Sequence, residues 1–302
     1  MKRRQFLNQG IKAGVLAAGA PMIFTSLNKA YGANNYDLVA IKGGEPGEMF
    51  DKGIASLGGM KKFVSQGQKV VVKPNIGWDT SPERAANTNP QLVSRIVEHC
   101  LNAGAKEVYV FDNTCDNWTR CYSNSGIESA VKTAGGKVVP GNSESYYQEV
   151  SIQGTSMIKS AKVHELILES DVFINVPVLK HHSSARLTIT MKNLMGIVWD
   201  RRFWHKNDLH QCIAEFASYR KPDLNVVDCY NVMKRNGPRG VSTADLVPMK
   251  AQIISTDPVA ADAAASMMLG FKPAEIPYIK TAHELKVGNM NLDNLSINRV
   301  KM

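Results

Sequence analysis

Lysine, histidine, carboxylate and amide side chains recur in this sequence directly after short apolar runs. Lys73-Pro74-Asn75 follows Lys69 to Val72, and Asp112-Asn113 follows Glu107 to Phe111. Lys180-His181-His182 follows the longer run from Asp171 to Val178. Asp228 closes Leu224 to Val227, and Asp257 comes soon after Ala251 to Ile254. Open α/β sheets bind ligands outside the carboxyl ends of their strands, so a parallel sheet would gather these groups at one edge. Lysines and histidines facing carboxylates and amides there make a polar pocket for an anion or a metal. In such a pocket Lys73, Lys180 and Lys192 would hold the anion, with Asn75, Asn113 and Asn193 beside them. His182 would serve as general base or metal ligand, and Asp112, Asp228 or Asp262 would orient it. Strand-end Asp and Asn are also common turn formers. Asp257, before Pro258, reads as a helix N-cap.

Three further stretches carry chemistry. Asp262 sits in Val259-Ala260-Ala261-Asp262-Ala263-Ala264-Ala265, a helix apolar nearly all round, where a carboxylate must find a partner or take up a proton. Lys192 and Asn193 lie within apolar surroundings in Met191-Lys192-Asn193-Leu194-Met195-Gly196. In Trp199-Asp200-Arg201-Arg202-Phe203-Trp204-His205, arginines beside tryptophans suit stacking or bidentate anion binding. His205, Asp208 and His210 are spaced closely enough to ligate a metal, alone or with His182. The five cysteines form no CxxC pair. Cys115 and Cys121 are near enough in sequence to pair in an oxidising compartment, whereas Cys100, Cys212 and Cys229 read as small buried hydrophobes.

The elements that must position these groups alternate. Asp37 to Ile41 and the five runs above read as strands, and their near-continuous apolar character suits a sheet covered on both faces. Between them, Asn89-Pro90 opens a helix that ends at Gly104, with Leu92, Val93, Ile96, Val97, Cys100 and Leu101 as its buried stripe. Asn207 is positioned to cap a second helix, and Asp257-Pro258 opens a third that Gly270 ends. The alternation predicts an α/β fold with a largely parallel sheet flanked by helices, one domain over residues 33–302. A polar stretch at 142–165 could divide it into two lobes.

The formal net charge of the chain is +9, and residues 1–32 contribute five basic side chains and no acid, leaving +4 for the rest. No Lys/Arg run marks a nucleic-acid arm. Residues 1–32 read as an export signal, with charged Lys2-Arg3-Arg4-Gln5-Phe6-Leu7, a modest apolar stretch from Ile11 to Phe24, and Ala30-Tyr31-Gly32 as a small-x-small cleavage pattern. The apolar stretch is too short and glycine-rich for a membrane span. Paired arginines before Phe and Leu resemble the twin-arginine translocation signal, with Lys2 and Asn8 departing from its usual pattern. An ordinary secretory signal is the alternative. Either route predicts a periplasmic or otherwise exported protein, with the translocation machinery as its partner.

The motifs Val72-Lys73-Pro74-Asn75, Thr88-Asn89-Pro90, Asn175-Val176-Pro177-Val178-Leu179-Lys180-His181-His182, Met191 to Gly196, and Ser255-Thr256-Asp257-Pro258-Val259-Ala260-Ala261-Asp262 occur in this order. In order and spacing they resemble the domain-of-unknown-function family 362, over about residues 36–288. The resemblance implies no general reaction. Members are often described as iron–sulfur proteins, many with appended ferredoxin-type cysteine motifs that this chain lacks. The family pattern of a lysine followed two residues later by histidine is matched by Lys180 and His182, and Lys73, Asn75, Lys192 and Asn193 match motif positions as well. Three functions stay open: a redox-related enzyme or cofactor protein acting on an anionic ligand, a non-catalytic solute- or metal-binding accessory protein, and an iron–sulfur protein using Cys115, Cys121 and two distant cysteines.

Overall fold

In the computed structural model, residues 36–302 are described; the export signal expected at residues 1–32 lies outside them. The first half supplies strands β1 (Leu38–Lys42), β2 (Lys69–Pro74), β3 (Glu107–Val110), β4 (Lys137–Val138), β5 (Tyr147–Ser151) and β6 (Ser160–His164). The second half supplies β7 (Val172–Val176), β8 (Val178–His182), β9 (Arg186–Thr188), β10 (Leu224–Met233), β11 (Leu246–Ser255) and β12 (Ile297–Lys301). The main sheet runs in the order β12-β1-β11-β10-β7-β2-β3-β4, with β8 branching from β10 and β9 pairing with β8. Its centre, β10-β7-β2-β3-β4, is parallel throughout. Only β11 runs antiparallel to both its neighbours, and β9 to β8. The predicted α/β class with a mostly parallel sheet is the one observed.

Helices of eight or more residues cover both faces: α1 (Pro46–Ser56), α2 (Pro90–Asn102), α3 (Leu209–Tyr219), α4 (Pro258–Met268) and α5 (Pro277–Glu284). Helix α2 has the expected Asn89 cap, whose side chain accepts from the Gln91 N–H at 2.9 Å. Helix α3 is capped one residue later than expected. Asp208, not Asn207, accepts from the N–H groups of His210 and Gln211, both at 3.0 Å. The apolar run predicted from Asp171 to Val178 is two strands, because Pro177 cannot donate to a ladder. After it the chain leaves β2 and pairs only with the outer part of β10, and with β9.

Period-two alternation decides which face each strand residue serves. Val70 and Val72 join the core under α1 and α2, while Val71 joins the opposite core with Phe111 and Phe173. Lys73 therefore points to the Val71 face. Asn175 follows Phe173 on that same face, and Asn225 lies there beside Val227. The register places Lys73 opposite Asn175, Asn175 opposite Asn225, and Asn225 opposite Ser255. A polar row thus crosses an otherwise apolar layer.

The 142–165 stretch, read as a possible lobe boundary, holds the β5–β6 hairpin. Its Ile152, Ile158 and Val163 belong to the same core as Phe173 and Leu179. The hairpin loop is tied to α3 by Glu215, which is 1% exposed. The Glu215 carboxylate accepts from the N–H groups of Ser156 at 2.7 Å and of Met157 and Ile158 at 2.9 Å each, and from Gln211 Nε2 at 2.9 Å. Burial alone would raise this carboxyl; the hydrogen bonds from Ser156, Gln211, Ile158 and Met157 outweigh it and hold it at about 2. A carboxyl depressed in the folded state stabilises the fold above its unfolded value and loses that effect as pH falls through the folded one. Glu215→Ala should cost about 3 kcal/mol in urea denaturation at pH 7. The difference from the parent should shrink between about pH 4.5 and 2. A variant as stable as the parent at pH 7 would refute this role.

A cationic cleft at the carboxyl edge of the sheet

The carboxyl ends of β2, β3 and β8 converge with the turn Thr190–Asn193 on a small cleft of about 410 Å³, counting its open mouth. At its floor Lys73 Nζ lies 2.8 Å from Asp112 Oδ1, with the two side chains 1% and 3% exposed. The approach lies outside hydrogen-bonding angles, so the contact is an ion pair and Oδ1 keeps no directed donor. Asp112 Oδ2 accepts from the Ile76 N–H at 2.7 Å. The Asp112 backbone is gripped by Tyr122, whose hydroxyl accepts from Asp112 N at 2.7 Å. Lys73 Nζ also donates to Pro74 O at 2.8 Å and to Asn193 Oδ1 at 3.0 Å. Burial lowers the Lys73 ammonium and the Asp112 charge opposes that shift. Gly196 passes so close that a Cβ there would run into Asp112 Oδ1 and Lys73 Nζ.

From this pair an amide chain runs into the core. Asn193 Nδ2 donates to Asn175 Oδ1 at 2.8 Å, and Asn175 Nδ2 donates to Asn225 Oδ1 at 3.1 Å. In the other direction, Asn75 Nδ2 donates to Asn193 Oδ1 at 2.9 Å, while Asn75 Oδ1 accepts from Lys180 Nζ at 3.0 Å. Lys180 Nζ also donates to Ala86 O. Asn113 Nδ2 donates to Val198 O at 3.0 Å, and the Asn113 carbonyl accepts from Arg201 at 2.9 Å. Lys73, Asn75, Asp112, Asn113, Lys180, His182, Lys192 and Asn193, all named from sequence, therefore line one cleft. Arg201 and Cys115 line it as well. Asp112 is the single carboxylate among the lining side chains, against three lysines and one arginine.

Lys192 Nζ makes no hydrogen bond or ion pair among the described residues, although its side chain is partly buried. Burial, with Arg201 and Lys73 adding to it against Cys115 and Asp112, pulls its ammonium down to about 8. Burial pulls Lys180 further, to about 7. His182 is 7% exposed and is pushed down to about 2 by burial and the neighbouring lysines, so its ring is neutral at ordinary pH. Its Nδ1 accepts from the N–H groups of Ser184 and Ala185 at 3.1 and 3.2 Å. That fixes the proton on Nε2. His182 therefore turns an N–H into the cleft, in contrast to the general-base role expected of it, because the nitrogen that would take a proton is already committed.

The other named residues lie elsewhere. Asp228 accepts from the N–H groups of Asn89 at 2.8 Å and Tyr230 at 3.0 Å, and burial raises it to about 6. Asp262 is buried at the start of the turn that carries Lys192. It accepts from Thr190 N at 2.7 Å and Met191 N at 3.2 Å, and burial raises it to about 7. It positions Lys192 and Asn193 from behind and does not reach the cleft wall. The metal set is not assembled. His205 stacks on His182 with ring centroids 6.4 Å apart, Asp208 is committed to capping α3, and His210 stacks on Tyr278. Among the described residues no three His, Cys, Asp or Glu side chains gather in a group able to hold a metal ion. A cluster on four cysteines does not fit either. All five thiols are free; Cys100, Cys121, Cys212 and Cys229 are buried in the cores and Cys115 alone is exposed. Arg201, Asn175 and Asn225 were not among the expected site residues. The Arg201 signal was present beside the tryptophans, whereas Asn175 and Asn225 gain meaning only from strand register.

A wide, open groove lies beyond Arg201 and Asn113, which it shares with the cleft. The cleft, not this larger groove, concentrates the buried ionisable groups. Fold and site together define an α/β protein with a cationic cleft at the carboxyl edge of its parallel strands. Residues 70–267 match the family model described as Domain of unknown function (DUF362), and the chain belongs to that family. A thylakoid-associated protein of Synechocystis sp. (strain ATCC 27184 / PCC 6803 / Kazusa) is 26% identical over 238 residues, covering 76% of this chain and 71% of that protein. Looser likenesses exist to two solved structures, each 12% identical. One is the lactate racemase apoprotein of Thermoanaerobacterium thermosaccharolyticum, with a TM-score of 0.45 over 70% of this chain and 53% of that one. The other is a Thermotoga maritima protein, with a TM-score of 0.40 over 80% of this chain and 59% of that one. The chain thus spans little more than half of either. No helix among the described residues is long and apolar enough to cross a membrane.

The lysine shifts carry a sign. Lys180 and Lys192 hold their protons less tightly folded than unfolded, so between about pH 7 and lysine's ordinary value of 10.5 the unfolded chain binds more protons and stability rises with pH. Below about 7 both lysines are charged and their mutual repulsion is fully present. A bound anion relieves it. Sulfate should therefore raise the thermal midpoint more at pH 6 than at pH 9, compared at equal ionic strength with chloride. Equal rises at both pH values would refute a cationic cleft.

Proposed function

We propose that the cleft binds a small anionic ligand, of carboxylate or phosphate type, and acts on it as an enzyme. The observation that carries this reading is the imbalance of charge: Lys73, Lys180, Lys192 and Arg201 face Asp112 alone. Lys73 is spoken for by Asp112, and Lys180 is held only by amide and carbonyl oxygens. Lys192 is unpaired and turned to the cleft. These are the conditions under which an anion replaces missing countercharge. The neutral His182 would add an N–H donor aimed at the same oxygen atoms. Lys180, at about 7, is the group able to give and take a proton near neutrality. It would replace His182 as the acid–base residue, with Asn75 fixing its position.

A non-catalytic binding protein would use the same cations but would not need a lysine poised near neutrality. Calorimetry with a panel of small carboxylates and phosphates, followed by incubation and mass analysis of the bound species, separates the two. Lys192→Met should weaken binding by about 1–3 kcal/mol. Lys180→Met should abolish turnover. Unchanged affinity in Lys192→Met would refute the anion cleft, and a ligand recovered unaltered would favour the binding protein.

The export reading rests on Arg3-Arg4-Gln5-Phe6-Leu7 and the apolar stretch after it. We propose a periplasmic site of action reached by the twin-arginine route, with the translocation machinery as partner. Arg3→Lys with Arg4→Lys should block export in a cell-fractionation assay. Unchanged export would point to an ordinary secretory signal.

A further inference from the structure

Cys115 differs from every other thiol in the chain. Burial raises Cys100 and Cys121 to about 12, Cys212 to about 11, and Cys229 well above the ordinary thiol value. Those four are inert packing. Cys115 is exposed, on the loop that follows Asp112-Asn113. Its backbone N–H donates to Gly77 O at 2.9 Å, which ties this loop to the segment that follows β2. Arg201 Nη1 approaches its Sγ at 3.7 Å. Lys73, Lys180 and Lys192 line the same cleft as Cys115, so all three side chains share its wall. Asp112 lies at the cleft floor, and the neighbouring Asp116 is answered by Arg239 at 3.7 Å. A second feature points to a ligand at this place independently of the thiol. The His182 ring is more than nine-tenths buried, yet its Nε2 has no partner among the described residues and lines the same cleft.

We propose that Cys115 is the nucleophile of this cleft, and that the electrophiles it takes carry a carboxylate or comparable anionic group beside the reacting carbon. The inference rests on the anion-binding reading above. The cations hold the substrate's own negative charge beside the sulfur, and an uncharged electrophile of the same reactivity gains nothing from them. In the simplest such reaction the thiol proton passes to water, sulfur forms a bond to the electrophilic carbon, and the leaving group departs with the bonding pair.

Iodoacetate and iodoacetamide provide the test, because both alkylate sulfur with loss of iodide, one carrying a carboxylate where the other carries a neutral amide. The full chain is treated with each, and modification of the Cys115 peptide is followed by mass spectrometry. The same protein unfolded in urea serves as reference. Folded Cys115 should prefer iodoacetate over iodoacetamide by on the order of tenfold relative to the unfolded chain. Sulfate should slow the iodoacetate reaction, and Lys192→Met should remove the preference. Since the wild-type comparison needs no variant, a poorly folded mutant does not affect it. Equal ratios for folded and unfolded Cys115 would overturn the inference. Sulfate that binds in calorimetry while Cys115 stays unselective would overturn the thiol's role and leave the anion cleft standing. Sulfate that neither binds nor slows alkylation would remove the cleft reading and the inference together.

Discussion

The Lys73–Asp112 ion pair is the constraint around which the rest of the site is built. Two charges 2.8 Å apart with almost no exposure are costly to desolvate, and removing one partner from such a pair costs about 3–5 kcal/mol. The surrounding structure answers that cost in detail. Ile76 supplies an N–H to the carboxylate, Pro74 and Asn193 supply oxygens to the ammonium, and Tyr122 fixes the backbone of Asp112. Gly196 has no room for a side chain because the pair occupies it. The chain beyond Asn193 therefore closes directly over the pair, which brings Arg201 to the loop of Asn113 and Cys115.

The same pair explains why a polar seam penetrates an apolar layer. Asn193 cannot satisfy Lys73 unless its own amide is held, and Asn175 holds it, in turn held by Asn225. A buried network of this kind is stable only when each member is satisfied. Asp262 completes it from the far side by anchoring the N–H groups of the turn that bears Lys192 and Asn193. The buried carboxylate in an apolar helix thus serves the cleft through the backbone it positions. Lys192 is left with no internal partner among the described residues, and this unanswered charge faces the cleft beside Lys180.

Much of this was legible in the residues. Strand-end runs such as Lys73-Pro74-Asn75 and Lys180-His181-His182 name the cleft lining, because a parallel sheet brings carboxyl ends together whatever their order in the chain. The alternation that places Val71 in one core and Val72 in the other also carries Lys73 to the Val71 face. Where the reading failed, it did so by treating nearness in sequence as nearness in function. Asp208 and His205 are three residues apart, yet one caps a helix and the other stacks on His182. Cys115 and Cys121 are six apart, yet one faces the cleft and the other lies in the core.

By itself the sequence determined the α/β class, the helix caps at Asn89 and Asp257, the burial of Cys100, Cys212 and Cys229, and the polar groups that would share one edge of the sheet. These follow from periodicity and capping, which are local. Only the tertiary structure decided that Pro177 splits a strand, that Asp228 and Asp262 accept from backbone N–H groups, and that His182 Nδ1 does so as well. Only it singled out Cys115 among five thiols and set Arg201 beside it. Those outcomes depend on strand register and on which backbone groups happen to lie within hydrogen-bonding reach, and both are fixed by contacts between residues far apart in the chain.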